Sequence, residues 1–111
     1  MPLTRQFKDT VKKRAERDPE FRIGLLREAI EALINDDLVT GKALLRDYIN
    51  ATIGFEYLAA ELDKQPKSLM RMLSAKGHPL AENLLMIVGY LKKKEGVEFN
   101  LIINGNLGLN T

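Results

Sequence analysis

The stretch 55-FEYLAAELDKQPKSLMRMLSAKG-77 decides how the rest of the chain is read. Leu58, Ala59 and Leu62 recur at the three-to-four-residue spacing that gathers apolar side chains on one face of a helix. Pro66 suits the first turn of a second helix, where its missing N–H is not needed, and Leu69, Met72 and Leu73 supply that helix with its own apolar stripe. Only Asp63 to Gln65 lies between them. So short a link makes the two helices cross steeply and makes small residues valuable at the crossing, a place Ala59 and Ala60 are expected to fill.

The second helix, expected over Pro66 to Ala75, leaves Gln65, Lys67, Ser68, Met70 and Arg71 off its apolar face. Lys64, Lys67, Arg71 and Lys76 are cations in a run that holds no acid. A helix that reads a DNA groove needs that pairing of base-reading and phosphate-neutralising groups. A merely solvated polar face is the competing reading.

The pattern Leu58-Ala59, Leu62, Leu69, Met72, then Gly77-His78-Pro79 and Leu84-Leu85, resembles the lambda-repressor-like helix-turn-helix family, and within it the HigA-like antidote proteins (antitoxins) of bacterial addiction modules. The resemblance covers roughly residues 53–99. Ala59 matches the small residue of the family's first helix, and Leu69 and Met72 match the buried positions of its recognition helix. Where the family carries Gly, this chain has Asp63, a residue that tolerates the left-handed region better than most; where the family has an apolar residue, it has Lys64. The resemblance implies a sequence-specific transcriptional regulator, a homodimeric repressor bound to double-stranded operator DNA of its own operon. It also implies a partner of RelE-like toxin architecture.

Composition sets bounds. The chain has 111 residues, 45% of them hydrophobic, enough for one small domain with a modest core. A formal charge of +2 is too small for bulk polyanion binding, so the distribution of charge matters more than its sum. With no cysteine and His78 as the sole histidine, disulfides, thiolate chemistry and a His/Cys metal cluster are excluded. No nucleophile–base pair or nucleotide loop is recognisable, so neither an enzyme nor a cofactor is expected. No apolar run approaches a membrane span and the basic start lacks a signal-peptide core, from which a cytoplasmic protein without membrane contact is inferred.

Upstream, Met1 to Arg17 holds six cations and two acids, with Phe7 and Val11 spaced for one short amphipathic helix. It reads equally as a solvated terminal helix or as a phosphate- or acid-binding arm. Asp18-Pro19 starts a second helix through Asn35, with Phe21, Leu25, Leu26, Ala29, Ile30, Leu33 and Ile34 as its apolar set. Counted through Asp37, this segment holds six acids against two cations and is as acidic as the first is basic. Leu38 to Ile53 forms a third helix, buried through Leu38, Leu44, Leu45, Tyr48, Ile49 and Ile53, with Thr40 as an alternative N-cap and Gly41 weakening its first turns. Tyr48 could reach DNA, but core with a wet tip is the commoner fate.

Gly77 suits a left-handed helix stop, and Pro79 to Lys94 follows as a helix with Leu80, Leu84, Leu85, Ile87, Val88 and Leu91 inward. His78 is read as a loop residue and Lys92 to Lys94 as cations at a helix C-terminus. After Gly96 the period changes to two, and Val97, Phe99, Leu101 and Ile103 alternate as in a strand. A lone strand needs a partner, so these four residues are expected to pair across a dimer axis or on another protein's sheet edge. Asn104 to Gly108 reads as a turn or tail.

The expectation is therefore an all-α helix-turn-helix bundle: a helical extension at 1–36, a DNA-binding domain at 37–95, and a strand with tail at 96–111. The alternatives are a free-standing, phage-type regulator and, from another class, a protein-interaction module, with the acidic second helix and the strand neutralising a partner while DNA binding is weak or lost.

Overall fold

The computed structural model describes residues 5–103 and 105; the side chains of Arg5, Phe7 and Lys8 fall outside it, as does most of the turn expected at 104–108. Among the described residues there are six helices and no strand: α1 Arg5–Arg17, α2 Pro19–Ile34, α3 Leu38–Ala51, α4 Phe55–Leu62, α5 Pro66–Met72 and α6 Ala81–Glu95. None is long and apolar enough to cross a membrane.

Helix starts follow local chemistry. Asp18 caps α2 by accepting from the Phe21 N–H at 3.1 Å, with Pro19 in the first turn as the sequence predicts. At α3 the cap is Asp37, which accepts from the Thr40 N–H at 3.1 Å. Thr40 is thus a donor to the cap and not the cap itself, and the helix begins at Leu38. It ends at Ala51, short of Ile53, because the chain turns at Thr52 and passes through Gly54 at φ +80°.

α3 is the central helix. It packs most extensively on α2 and also touches α1 and α4. Gly41 permits the approach of α2: a Cβ there would stand 2.5 Å from the Leu33 side chain. Its cost in helix propensity is offset by that closeness. The core joins Leu26 and Ala29 of α2, Leu45, Tyr48 and Ile49 of α3, Phe55, Leu58 and Ala59 of α4, Leu69 and Leu73 at α5, and Ile87 and Leu91 of α6.

Several expected core positions face solvent instead. Leu80 and Leu85 are each 69% exposed, and Ile34 and Leu38 are exposed at the α2–α3 corner. The face of α6 that meets the core is narrower than its apolar stripe, since Ile87 and Leu91 are buried while Leu84 and Val88 only flank them. Ala59 occupies the α4 crossing, whereas Ala60 is exposed. The start expected at Pro79 moves to Ala81, with Leu80 extended at the N-cap. Gly96 closes α6 in the left-handed region at φ +72°.

Beyond Gly96, residues 97–103 form no ladder among the described residues. The Val97 N–H bonds back to the Lys92 carbonyl at 3.1 Å and Phe99 packs on the core. Leu101, Ile102 and Ile103 are 79%, 80% and 72% exposed.

Candidate nucleic-acid interface

Two short helices and the link between them build the site. α4 ends at Asp63, whose φ +55° and ψ 48° place it in the left-handed region, which Asp tolerates better than most residues. The turn is closed by backbone bonds from the Asp63 N–H to the Ala60 carbonyl (3.3 Å) and from the Lys64 N–H to the Ala59 carbonyl (2.9 Å), which satisfy carbonyls left over at the helix end. α5 then starts at Pro66, with the Gln65 carbonyl accepting from the N–H groups of Ser68 (3.0 Å) and Leu69 (3.3 Å). Leu69 and Leu73 are fully buried, which fixes the rotation of α5 about its own axis.

That rotation turns Lys67, Met70 and Arg71, spaced three and four apart, to the opposite side. Lys64, Gln65, Lys67, Met70, Arg71 and Lys76 are all exposed and Ser68 is half-buried. Met70 is 48% exposed. None of the four cations forms an ion pair among the described residues. The surface is therefore positively charged and uncompensated.

α5 is shorter than expected. It stops at Met72, with Leu73 as C-cap, and not at Ala75. Lys76 accordingly stands in the turn past the helix and not on its face. Gly77 does not have the positive φ expected of a helix stop. It is needed for a different reason: a Cβ there would lie 2.1 Å from the Arg71 carbonyl oxygen and 2.8 Å from that of Met72. The turn folds back against the backbone of α5.

Two side chains that sequence reasoning missed hold this turn. Lys42 of α3 is 2% exposed, and its Nζ donates to the carbonyls of Gly77 (2.8 Å) and Ala75 (3.4 Å). One turn further along α3, the Arg46 guanidinium donates to the Leu73 carbonyl. The available signal was a cation in the same helical register as Leu45 and Ile49.

A second polar cluster lies beside a cleft of about 290 Å³. Glu95, whose side chain is 7% exposed, accepts from Arg22 Nε at 3.0 and 3.2 Å, from Arg22 Nη2 at 3.2 Å, and from the Tyr48 hydroxyl. Arg22 Nη1 donates to the Ala15 carbonyl at 2.7 Å, so the cluster ties α1, α2, α3 and α6 together. Hydrogen bonding to Glu95 raises the Arg22 pKa, and burial together with that carboxylate holds the Tyr48 phenol well above the ordinary tyrosine range. Tyr48 is core, then, with a bonded tip and not a wet one. Both oxygens of Glu95 are already engaged, so the cluster braces the fold.

His78 lies exposed in the loop before α6. Lys94 of α6 stands over the Tyr57 ring at 5.0 Å. Between α2 and the C-terminal segment runs a groove of about 710 Å³, lined by Ile30, Ile34, Phe99, Leu101 and Ile102. Comparisons with protein-family models, with curated proteins and with solved structures found no match to this chain.

Proposed function

We propose that the chain is a sequence-specific DNA-binding regulator that lays α5 in the major groove. The observation that carries this reading is the cationic pair Lys67 and Arg71 on α5, flanked by Lys64 in the link before it and Lys76 in the turn after it, none of them in an ion pair among the described residues, on a helix whose rotation is locked by Leu69 and Leu73. Lys67, Met70 and Arg71, with Gln65 at the helix start, meet base edges. Arg71 suits a guanine, bound by two N–H groups, and Gln65 an adenine. Lys64, Lys76 and Ser68 hold phosphates and set register without reading sequence. Two copies on an inverted repeat would square the information that one seven-residue helix reads.

In this reading the protein represses its own operon as the antitoxin of a toxin–antitoxin pair. Arg71→Ala should cost roughly 1–3 kcal/mol of operator binding and relax specificity at one base position, as measured by titration at fixed salt. Equal affinity of the variant and the parent would remove Arg71 from the base-reading set.

A second reading, a module that neutralises a partner protein, is favoured by the C-terminal segment. Leu101, Ile102 and Ile103 are exposed at 79%, 80% and 72%, and no backbone–backbone hydrogen bond engages residues 98–103 among the described residues. An exposed apolar segment of alternating pattern, with no backbone bond of its own among the described residues, suits addition to a sheet edge, of a RelE-like toxin or of a second copy. The two readings coexist in an antitoxin.

A further inference from the structure

Burying a lysine is costly unless its ammonium is hydrogen-bonded, and an apolar side chain of similar size commonly serves stability as well or better. Lys42 is nevertheless 2% exposed. It has no carboxylate partner among the described residues; its ammonium is held by the carbonyls of Ala75 and Gly77 alone. With the Arg46 guanidinium on Leu73, α3 grips the carbonyls of residues 73, 75 and 77, every second one along the turn that follows α5.

Those oxygens lie at and just beyond a helix C-terminus, where the last carbonyls lack partners and the helix dipole favours cations. The grip is reinforced from the other side. Gly77 lies so close to the Arg71 and Met72 carbonyls that any side chain would push the turn away. The Ser74 hydroxyl also donates to the Arg71 carbonyl at 2.7 Å.

We infer that Lys42 and Arg46 are positioning residues for DNA reading: they fix the 73–77 turn, and with it the spacing between Arg71 at the base edges and Lys76 at the phosphate. The inference rests on the DNA-binding reading of α5. Neither side chain touches DNA. Lys42 is enclosed, and Arg46 is half-buried with its guanidinium turned to Leu73. Their influence passes through the backbone of a turn that carries one phosphate-holding lysine and abuts the carbonyl of a base-reading arginine. Recognition of this kind tolerates displacements of only about 0.5 Å.

The test uses the full chain, the duplex upstream of its gene and a scrambled duplex of equal length. Lys42→Met keeps the buried stem and removes the ammonium. Operator affinity should fall roughly tenfold or more, while affinity for scrambled DNA and the salt slope stay unchanged, because a buried lysine neutralises no phosphate. Exchange of the Ser74 amide, bonded to the Arg71 carbonyl, and of the Gly77 amide, bonded to the Ser74 carbonyl, should quicken in the free protein.

Arg46→Gln should reproduce the loss of preference in milder form and serves as the variant if Lys42→Met does not fold. A lowered melting temperature with an unchanged ratio of operator to scrambled affinity would overturn the inference, leaving Lys42 a purely structural group. If the parent protein itself showed no operator preference, the DNA-binding reading would fail and the inference with it; a preference kept equally by parent and variants would overturn the inference alone.

Discussion

Asp63 caps the end of α4 while Gly77 sits in the turn beyond the end of α5, and each solves its problem differently. Asp63 takes the left-handed conformation that ends α4, a role its short polar side chain makes tolerable. Gly77 is needed for lack of volume: its Cβ position is filled by the Arg71 carbonyl. Sequence shows that a small or permissive residue is present, but not which of the two reasons applies. Asp37 offers a residue-scale prediction. Hydrogen bonds from the Thr40 side chain and backbone N–H hold its carboxyl below the ordinary aspartate range. A group depressed in the folded state stabilises fully above its unfolded pKa and loses that contribution as pH falls through the folded value. Melting followed into the acid range should therefore lose part of its pH dependence in Asp37→Asn, which keeps a cap oxygen without the charge. An identical acid limb in both proteins would show that the cap carries no such linkage.

At the scale of elements, helical periodicity located all the helices from α2 to α6, because each buries a stripe that repeats every three to four residues. It did not locate the inward part of those stripes. Leu80 and Leu85 belong to the apolar pattern of α6 and still face solvent, since the neighbouring helices decide which half of a broad stripe is covered. The polar ties between helices were also illegible. Arg22 and Glu95 stand 73 residues apart, and no local pattern links them. A hint existed in Glu95 itself, an acid in the last turn of α6, where the dipole favours cations. Its partner on α2 makes that position tenable. Glu95→Ala would leave the Arg22 guanidinium and the Tyr48 hydroxyl without their acceptor. The expected cost is on the order of 3 kcal/mol, seen as a lower urea midpoint with an unchanged slope. A loss within experimental scatter would mean that water replaces the carboxylate at no cost.

For the whole molecule, the exposure of the candidate face was legible: Lys67, Met70 and Arg71 stand off the apolar stripe of α5 as helical position put them, and Lys64 and Gln65 are exposed in the link before it. Their support was not, because Lys42 and Arg46 act from α3 across more than 25 residues of chain, through carbonyls that every residue possesses. The C-terminal segment poses the question of assembly. Its period-two pattern predicts a strand, and among the described residues of the single chain, 97–103 have no strand to pair with. Removing residues 96–111 should convert a dimer to a monomer by mass in solution and abolish binding of a sheet-edge partner. An unchanged mass together with unchanged partner binding would assign the segment no role in assembly. The claim on which the rest depends is that α5 reads sequence, and a salt series most directly tests it: binding to the duplex upstream of the gene against a scrambled duplex of the same length. We expect a preference of roughly a thousandfold or more, with a salt slope that counts the phosphates held. Equal, weak binding to both duplexes at every salt concentration would contradict it, and would leave the exposed C-terminal segment as the functional surface.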